Sequence, residues 1–237
     1  MLPIQSFPIY TVILPSTDKE INFRPFLVGE EKTLLLAKQS DNILTMLNSL
    51  KSVIDNCVIS DHNIDDFATF DIEFLFTQIR AKSVGEVVSI IFKCSECTDK
   101  KAKVKINLDL TTIKVNKDIT HTKIIPLFDD VGIVMKYPSI DIINELNKLS
   151  VTDINSTINI IKKCVDYIYN KDEIFYKKDI KAPELDKFID SLTRAQFLKV
   201  KGFFDTMPKL VHDINYECPI CKKKHKTKLE GLDAFFS

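Results

Sequence analysis

The chain of 237 residues contains no tryptophan and only five glycines, and its 33 basic residues balance its 33 acidic residues. So few glycines leave little room for flexible linkers, and no low-complexity segment is present. The charge balance provides no general attraction to nucleic acid or to anionic membranes. No run approaches the roughly 18–20 apolar residues that a membrane-spanning helix needs. These absences argue against a linker-rich protein, a polycation and an integral membrane protein.

Two further absences narrow the class of protein. The start of the chain has no basic segment before its apolar part, so we do not expect a signal peptide. Without secretion, disulfides are not expected, and the cysteines are predicted to be reduced, metal-bound or buried. The sequence also lacks a G-x-G-x-x-G motif, a P-loop, an H-E-x-x-H motif and a G-x-S-x-G motif. We therefore expect a protein without enzymatic activity and without a small-molecule substrate.

The residues that are present predict an α+β protein with one or two domains. Hydrophobic residues make up 45% of the chain, which is enough for a substantial core. Residues 8–24 read as two short strands, and "DNILTMLNSLKSVIDNCV" repeats apolar residues at three- and four-residue steps, which is typical of a helix. We predict an N-terminal β-ribbon and helical unit over residues 1–84.

The remaining residues, 85–237, predict a split β unit with a mostly helical insertion. Two segments, "EVVSIIFKCSECTDKKAKVKINLDL" and "KLVHDINYECPICKKKHKTKLEG", each read as strand, cysteine turn, strand. We assign them to the two parts of one unit, residues 85–110 and 208–237. The insertion, residues 111–207, is predicted to carry short strands and several helices, one of them over "INSTINIIKKCVDYIYN".

The two cysteine turns share one local pattern, a C-x-x-C pair between two predicted strands. Cys94 and Cys97 form the first C-x-x-C pair, and Cys218 and Cys221 form the second. Together they offer four thiolates, the number that tetrahedral Zn²⁺ binds at about 2.3 Å in closed structural sites. The usual separation between such pairs is roughly 15–20 residues, whereas 120 residues, 98–217, intervene here. We therefore predict one structural zinc ion per chain in a split zinc ribbon.

Other roles for the cysteines stay open. A redox-active pair usually lies at the start of a helix, and neither pair here precedes a convincing one. Two unrelated turns with free thiols are the remaining alternative. His225 could replace a cysteine as a ligand, but four cysteines already close a structural site, so we interpret it as a surface residue. Cys57 and Cys164 lie in apolar, helix-like contexts and are predicted to be buried.

Lysines surround both cysteine pairs, as in "KKAKVKINL" and "KKKHKTKLE". Zinc with four thiolates carries a formal charge of −2, and nearby ammonium groups favour the thiolate form. We favour this role over a nucleic-acid-binding zinc ribbon, which is the alternative for a basic face. Lys222 and Lys223 follow the second pair where such turns often carry glycine, so a tight turn would require a residue other than glycine to tolerate a positive φ there.

Several phrases of the chain resemble one protein family. Those that carry the likeness are "INFRPFLVGEEKTLLLAKQ", "FDIEFLFTQIRAKSVGEVV", "KCSEC", "GIVMKYPS", "FIDSLTRAQFLKVKGFFDTMPKLVHDINYECPIC" and "LEGLDAFF". Together, and in the same order, they resemble the baseplate hub assembly proteins of T4-like contractile-tailed bacteriophages. The first third is also similar to the small tail-assembly chaperones of tailed phages.

The resemblance implies a non-enzymatic assembly factor or chaperone for the central hub of the tail baseplate. Its implied partners are hub proteins and the tape-measure protein, and its implied location is the host cytoplasm during assembly. Whether the chain remains in the virion as a structural hub subunit is left open. The metal assignment carries over only to the four paired cysteines. We predict that Leu232, Phe235 and Phe236, in "LDAFFS", anchor a partner; folding back onto the ribbon is the alternative.

Overall fold

The computed structural model describes residues 6–40, 42–97, 101–143 and 154–231. It is a mixed α and β protein with small antiparallel sheets, which confirms the predicted class. The chain divides into two compact units, one comprising Met1–Asn116 with Lys209–Ser237 and the other comprising Lys117–Pro208. The predicted boundaries at residues 84, 110 and 208 stay predictions.

The first unit begins with an antiparallel pair of strands followed by helices. Strand β1 (Tyr10–Ile13) pairs with β2 (Glu20–Phe23). Helices α1 (Val28–Gln39), α2 (Ile43–Cys57) and α3 (Thr69–Ser83) follow. The order of strands and then helices is the one that the sequence predicts.

Asp71, near the start of α3, ties the helix to the turn after β1. Its side chain is fully buried, at 0% exposure. One carboxylate oxygen accepts a hydrogen bond from the backbone N–H of Ser16 at 3.0 Å, and the other accepts from the N–H of Ala68 at 3.2 Å. A buried carboxylate is tolerated because these donors replace the water that it loses.

Two hairpins complete the first unit. Strand β3 (Val87–Lys93) pairs with β4 (Lys103–Asp109), and β10 (Lys209–Glu217) pairs with β11 (Lys224–Glu230). The short strand β5 (Val115–Asn116) adds to the other edge of β10. Both hairpins pack into one core with α3, formed by Ala81, Ile90, Leu108, Leu110, Ile113, Leu210, Ile214 and Leu229. This shared core holds the tips of the two hairpins in a fixed relation.

The second unit is a four-stranded antiparallel sheet with helices. Its strands are β6 (Ile124–Phe128), β7 (Val131–Met135), β8 (Val165–Tyr169) and β9 (Ile174–Tyr176), paired in that order. Its helices are α4 (Ile154–Cys164), α5 (Ala182–Asp190) and α6 (Arg194–Thr206).

The predicted helix over "INSTINIIKKCVDYIYN" was wrong over its last six residues, 165–170. Helix α4 ends at Cys164, and Val165 begins strand β8. The residues "VDYIY" are β-branched or aromatic apart from Asp166, so they fit the centre of a sheet between β7 and β9. The insertion therefore contains more β structure than the sequence predicts. Within the described ranges, no helix has both the length and the apolar character that crossing a membrane requires.

Both ring nitrogens of His121, in the second unit, have hydrogen-bond partners. Its Nδ1 donates to the Thr206 hydroxyl oxygen at 3.0 Å, because that hydroxyl itself donates to the Gly202 carbonyl at 2.8 Å. Its Nε2 then accepts a hydrogen bond from the Tyr137 hydroxyl at 3.1 Å. Phe203 packs against the ring with the centroids 5.1 Å apart. These contacts fit the neutral imidazole.

The neutral His121 should make the second unit less stable in mild acid. Burial and the charge of Lys123 lower the pKa of His121, and Asp118 only partly opposes them. The unfolded chain therefore binds a proton first as the pH falls below about 6.5, and stability is lost from there down to the folded pKa. We expect the thermal midpoint of this unit to drop between about pH 7 and pH 5, and less steeply in His121→Phe. Equal pH dependence in both proteins would contradict this role.

Candidate metal centre

The four paired cysteines lie at the tips of the two hairpins. Cys94 follows the last residue of β3, and its N–H donates to the Ala102 carbonyl at 2.9 Å. Cys218 follows the last residue of β10, and its N–H donates to the Lys223 carbonyl at 2.9 Å. Each of these bonds extends its hairpin by one step, so the first cysteine of each pair is held by the sheet.

The sulfur atoms of the four cysteines form one cluster. All four Sγ atoms lie within 4.8 Å of one another. The Sγ atoms of Cys94 and Cys221 are 3.8 Å apart, and those of Cys97 and Cys218 are also 3.8 Å apart. A tetrahedral ion with metal–sulfur bonds of about 2.3 Å has sulfur–sulfur edges of about 3.8 Å. The separations between the two hairpins therefore fit a tetrahedral metal ion, and all four thiols are free of disulfides.

The second turn favours a thiolate. Backbone N–H groups of Cys221 and Ile220 donate to the Cys218 sulfur and lower the pKa of this thiol to about 7, against the effect of burial. Hydrogen bonds with Cys221 and, after burial, with Cys218 and Cys94 raise the pKa of the Cys97 thiol to about 12. Four sulfurs so close together cannot all be ionised unless a cation compensates their charge. The donor set thus suits a thiophilic divalent metal.

Ion pairs engage part of the lysine-rich surface. Lys223, in the second turn, pairs with Glu96 in the first turn, so the two turns are also linked through their side chains. The Nζ atom of Lys226 lies 3.4 Å from the Oδ2 atom of Asp213 across the β10–β11 hairpin. Of the two lysines that follow the second pair, Lys222 is the one that adopts a positive φ, at 59°, and its N–H donates to the Cys218 carbonyl at 3.0 Å.

His225 lies closer to the site than the sequence predicts. It is half-buried on β11, and its Nε2 is 3.2 Å from the Cys94 Sγ. The sequence alone favours a surface residue of the outgoing strand at this position. The alternation of residues along the strand could have predicted this burial, because His225 lies on the same face of β11 as Thr227 and the buried Leu229.

The other two cysteines, Cys57 and Cys164, lie outside the four-cysteine cluster. Cys57 and Cys164 are both fully buried, as the sequence predicts. Burial raises the pKa of the Cys57 thiol to about 11 and that of the Cys164 thiol to about 12. Both thiols therefore stay protonated at neutral pH and act as small apolar side chains.

The predicted partner anchor lies outside the described residues. Leu232, Phe235 and Phe236 follow Gly231, the last residue that the structure describes. Their role in binding a partner stays a prediction.

One comparison with known proteins succeeds, and it covers nearly the whole chain. The family model described as T4 bacteriophage base plate protein matches residues 7–237. The match includes both units and all four paired cysteines. No curated protein and no solved structure matches the chain.

Proposed function

The chain belongs to the family of T4 bacteriophage base plate proteins, and we propose that it is a non-enzymatic assembly factor for the central hub of the tail baseplate. The family match over residues 7–237 carries this proposal. This family match agrees with the resemblance of several sequence segments to baseplate hub assembly proteins. Membership in a baseplate family also supports binding to other baseplate proteins.

The surface of the first unit supports a role in binding. Helix α1 buries Leu34 and Ala37 but leaves Leu35 55% and Leu36 56% exposed. Val28, at its start, is 80% exposed. Val28 and Leu35 are seven residues apart and so lie on the same side of the helix, and contiguous exposed apolar side chains are typical of surfaces that another protein covers. We propose that hub or tape-measure proteins are the partners.

The cysteine cluster supports a structural task. We propose that Cys94, Cys97, Cys218 and Cys221 hold one zinc ion and that the two hairpins form a split zinc ribbon. A metal with four sulfur ligands has no open position for water or substrate, so such a site stabilises a fold and performs no hydrolysis. A structural metal site of this kind suits a protein that acts by binding other proteins.

The proposal is tested by removing the chain from an infection. A phage with an early nonsense codon in this coding sequence should fail to form plaques and should accumulate particles without complete tails. Supplying the wild-type chain in trans should restore plaques, whereas supplying an unrelated zinc-ribbon protein should not. Electron microscopy of the lysates would show whether the defect lies at the hub.

Two results would change the proposal. Normal baseplates in the absence of the chain would contradict a role in assembly. A fixed number of copies in washed, finished tails, measured by quantitative mass spectrometry, would instead make the chain a structural hub subunit. An assembly factor should be required for the tail and absent from it.

A further inference from the structure

A stack of three rings connects the two hairpins next to the cysteine cluster. Phe92 of β3 stacks on Tyr216 of β10 with the centroids 5.2 Å apart and the planes at 26°. Tyr216 stacks in turn on His225 of β11 at 5.0 Å and 19°. The Tyr216 hydroxyl donates to the Lys93 carbonyl at 3.3 Å, which joins β10 to β3 directly. His225 is therefore fixed in orientation, with Tyr216 opposite it in the register.

This orientation directs Nε2 of His225 at the Cys94 sulfur, 3.2 Å away. A metal-bound thiolate has no proton to donate, so the hydrogen of this contact must lie on Nε2. Hydrogen bonds to an ionised acceptor are stronger than those between neutral groups. Donation also withdraws electron density from sulfur, which lowers its tendency to attack electrophiles or to accept a proton and leave the metal.

We propose that His225 is a positioning residue of the metal centre that donates its Nε2–H to the Cys94 thiolate and slows loss of the metal. This inference rests on the proposed zinc site and extends it beyond the four ligands. Cys218 takes its donors from the backbone of its own turn. Cys94 takes this donor from the opposite hairpin, so the hydrogen bond also couples the two halves of the split site.

The protection matters because the site is open on one side. Cys94 and Cys218 are buried, Cys97 is half-buried and Cys221 is exposed. Chelators and thiol reagents can approach through Cys221, and the buried Cys94 is its neighbour at 3.8 Å. Once Cys221 has left the metal, the strength of the remaining bonds decides whether the ion is lost. A donor that holds Cys94 in place acts at that step.

The test compares zinc release in the wild-type chain and in three variants. His225→Phe keeps a ring for the stack and removes the N–H, and His225→Gln restores an N–H at similar reach. His212→Phe is the matched control, since His212 lies half-buried on the same hairpin opposite Leu229. The readouts are zinc per chain, the rate of zinc transfer to a colorimetric chelator, and alkylation of each cysteine measured by peptide mass spectrometry.

Loss of a partner outside the ligand shell typically weakens metal binding about ten- to a hundredfold. We therefore expect His225→Phe to retain one zinc ion, to release it about ten- to a hundredfold faster, and to show faster alkylation at Cys94. His225→Gln should recover most of the difference, and His212→Phe should behave as the wild type.

Several results would overturn the inference. Release from His225→Phe at the wild-type rate would leave His225 without a role at the site. Complete loss of zinc with the fold retained would make it a ligand instead. Absence of zinc from the wild-type chain would remove the proposed site itself, and this is visible before any substitution. Nitrogen NMR of the wild type is independent of how the variants fold, and a proton on Nδ1 in place of Nε2 would also overturn the proposal.

Discussion

Replacing Cys94 and Cys97 together by serine is expected to reduce zinc from one ion per chain to none and to unfold the two hairpins. Serine hydroxyls are poor ligands for zinc, and two remaining thiolates cannot complete a tetrahedron. Because the ligands come from both hairpins, changing Cys218 and Cys221 instead should have the same effect. Metal analysis of the purified chain, together with circular dichroism, would measure both consequences.

The size of this effect follows from the free energy of metal binding. Structural zinc sites bind with about 10–16 kcal/mol at neutral pH, whereas whole domains are stable by only about 5–15 kcal/mol. Loss of the ion therefore removes a term as large as the net stability of the first unit. Prolonged treatment with a strong chelator should produce the same unfolded hairpins in the unaltered chain.

Cys57 and Cys164 provide a matched control, because replacing them also removes two thiols from the chain. Both are buried outside the cluster, so the double variant Cys57→Ala and Cys164→Ala should keep one zinc ion per chain. Zinc that survived the loss of Cys94 and Cys97 would disprove the shared site. A wild-type chain whose two thiol pairs oxidise and reduce reversibly, with no bound metal, would favour the redox alternative.

Replacing Asp71 by alanine is expected to lower the free energy of unfolding of the first unit by about 3–6 kcal/mol. The N–H groups of the half-buried Ser16 and the buried Ala68 would each lose a carboxylate acceptor, and hydrogen bonds to charged groups contribute about 1.5–3 kcal/mol each. No water replaces the carboxylate easily, because the side chain is completely enclosed. Urea denaturation followed by circular dichroism would measure the loss.

Two other carboxylate variants make the result specific. Asp71→Asn keeps one oxygen and turns an amide toward the other donor, so it should fall between the wild type and alanine. Asp109→Ala is the control in the same unit, because Asp109 also accepts a backbone N–H, that of Thr111, but is only half-buried and makes this hydrogen bond in an exposed position. It should change the midpoint much less, and an equal effect at both positions would contradict the importance of burial at Asp71.

The sequence predicted the cysteine centre because its signals are local. Each C-x-x-C pair lies between two β-branched, alternating segments, and such a pattern specifies a hairpin with two sulfurs at its tip. A metal ion shared by the two pairs, as proposed, would require the two tips to meet, whatever the length of chain between them. The mixed α and β class and the early strands and helices follow from periodicity in the same way.

The features that sequence missed depend on register and on tertiary packing. His225 matters because it faces Tyr216 in the β10–β11 ladder, and this pairing is visible only once the register is known. Asp71 is buried because the turn at Ser16, 55 residues earlier, folds over it. Val165–Tyr169 follows a helix without a glycine or proline, so only the sheet around it ends the helical period.

The short strand β5 has a consequence for how the chain reaches its folded state. Asn116 and Lys209 face each other in the β5–β10 ladder, and these two residues flank the second unit in the chain. Closing a loop through a disordered chain of that length carries an entropy penalty that grows with the logarithm of the length. If the inserted unit folds first, the disordered stretch between the ladder residues shrinks to a few residues. The cysteines on either side would then meet at a cost close to that of an uninterrupted ribbon.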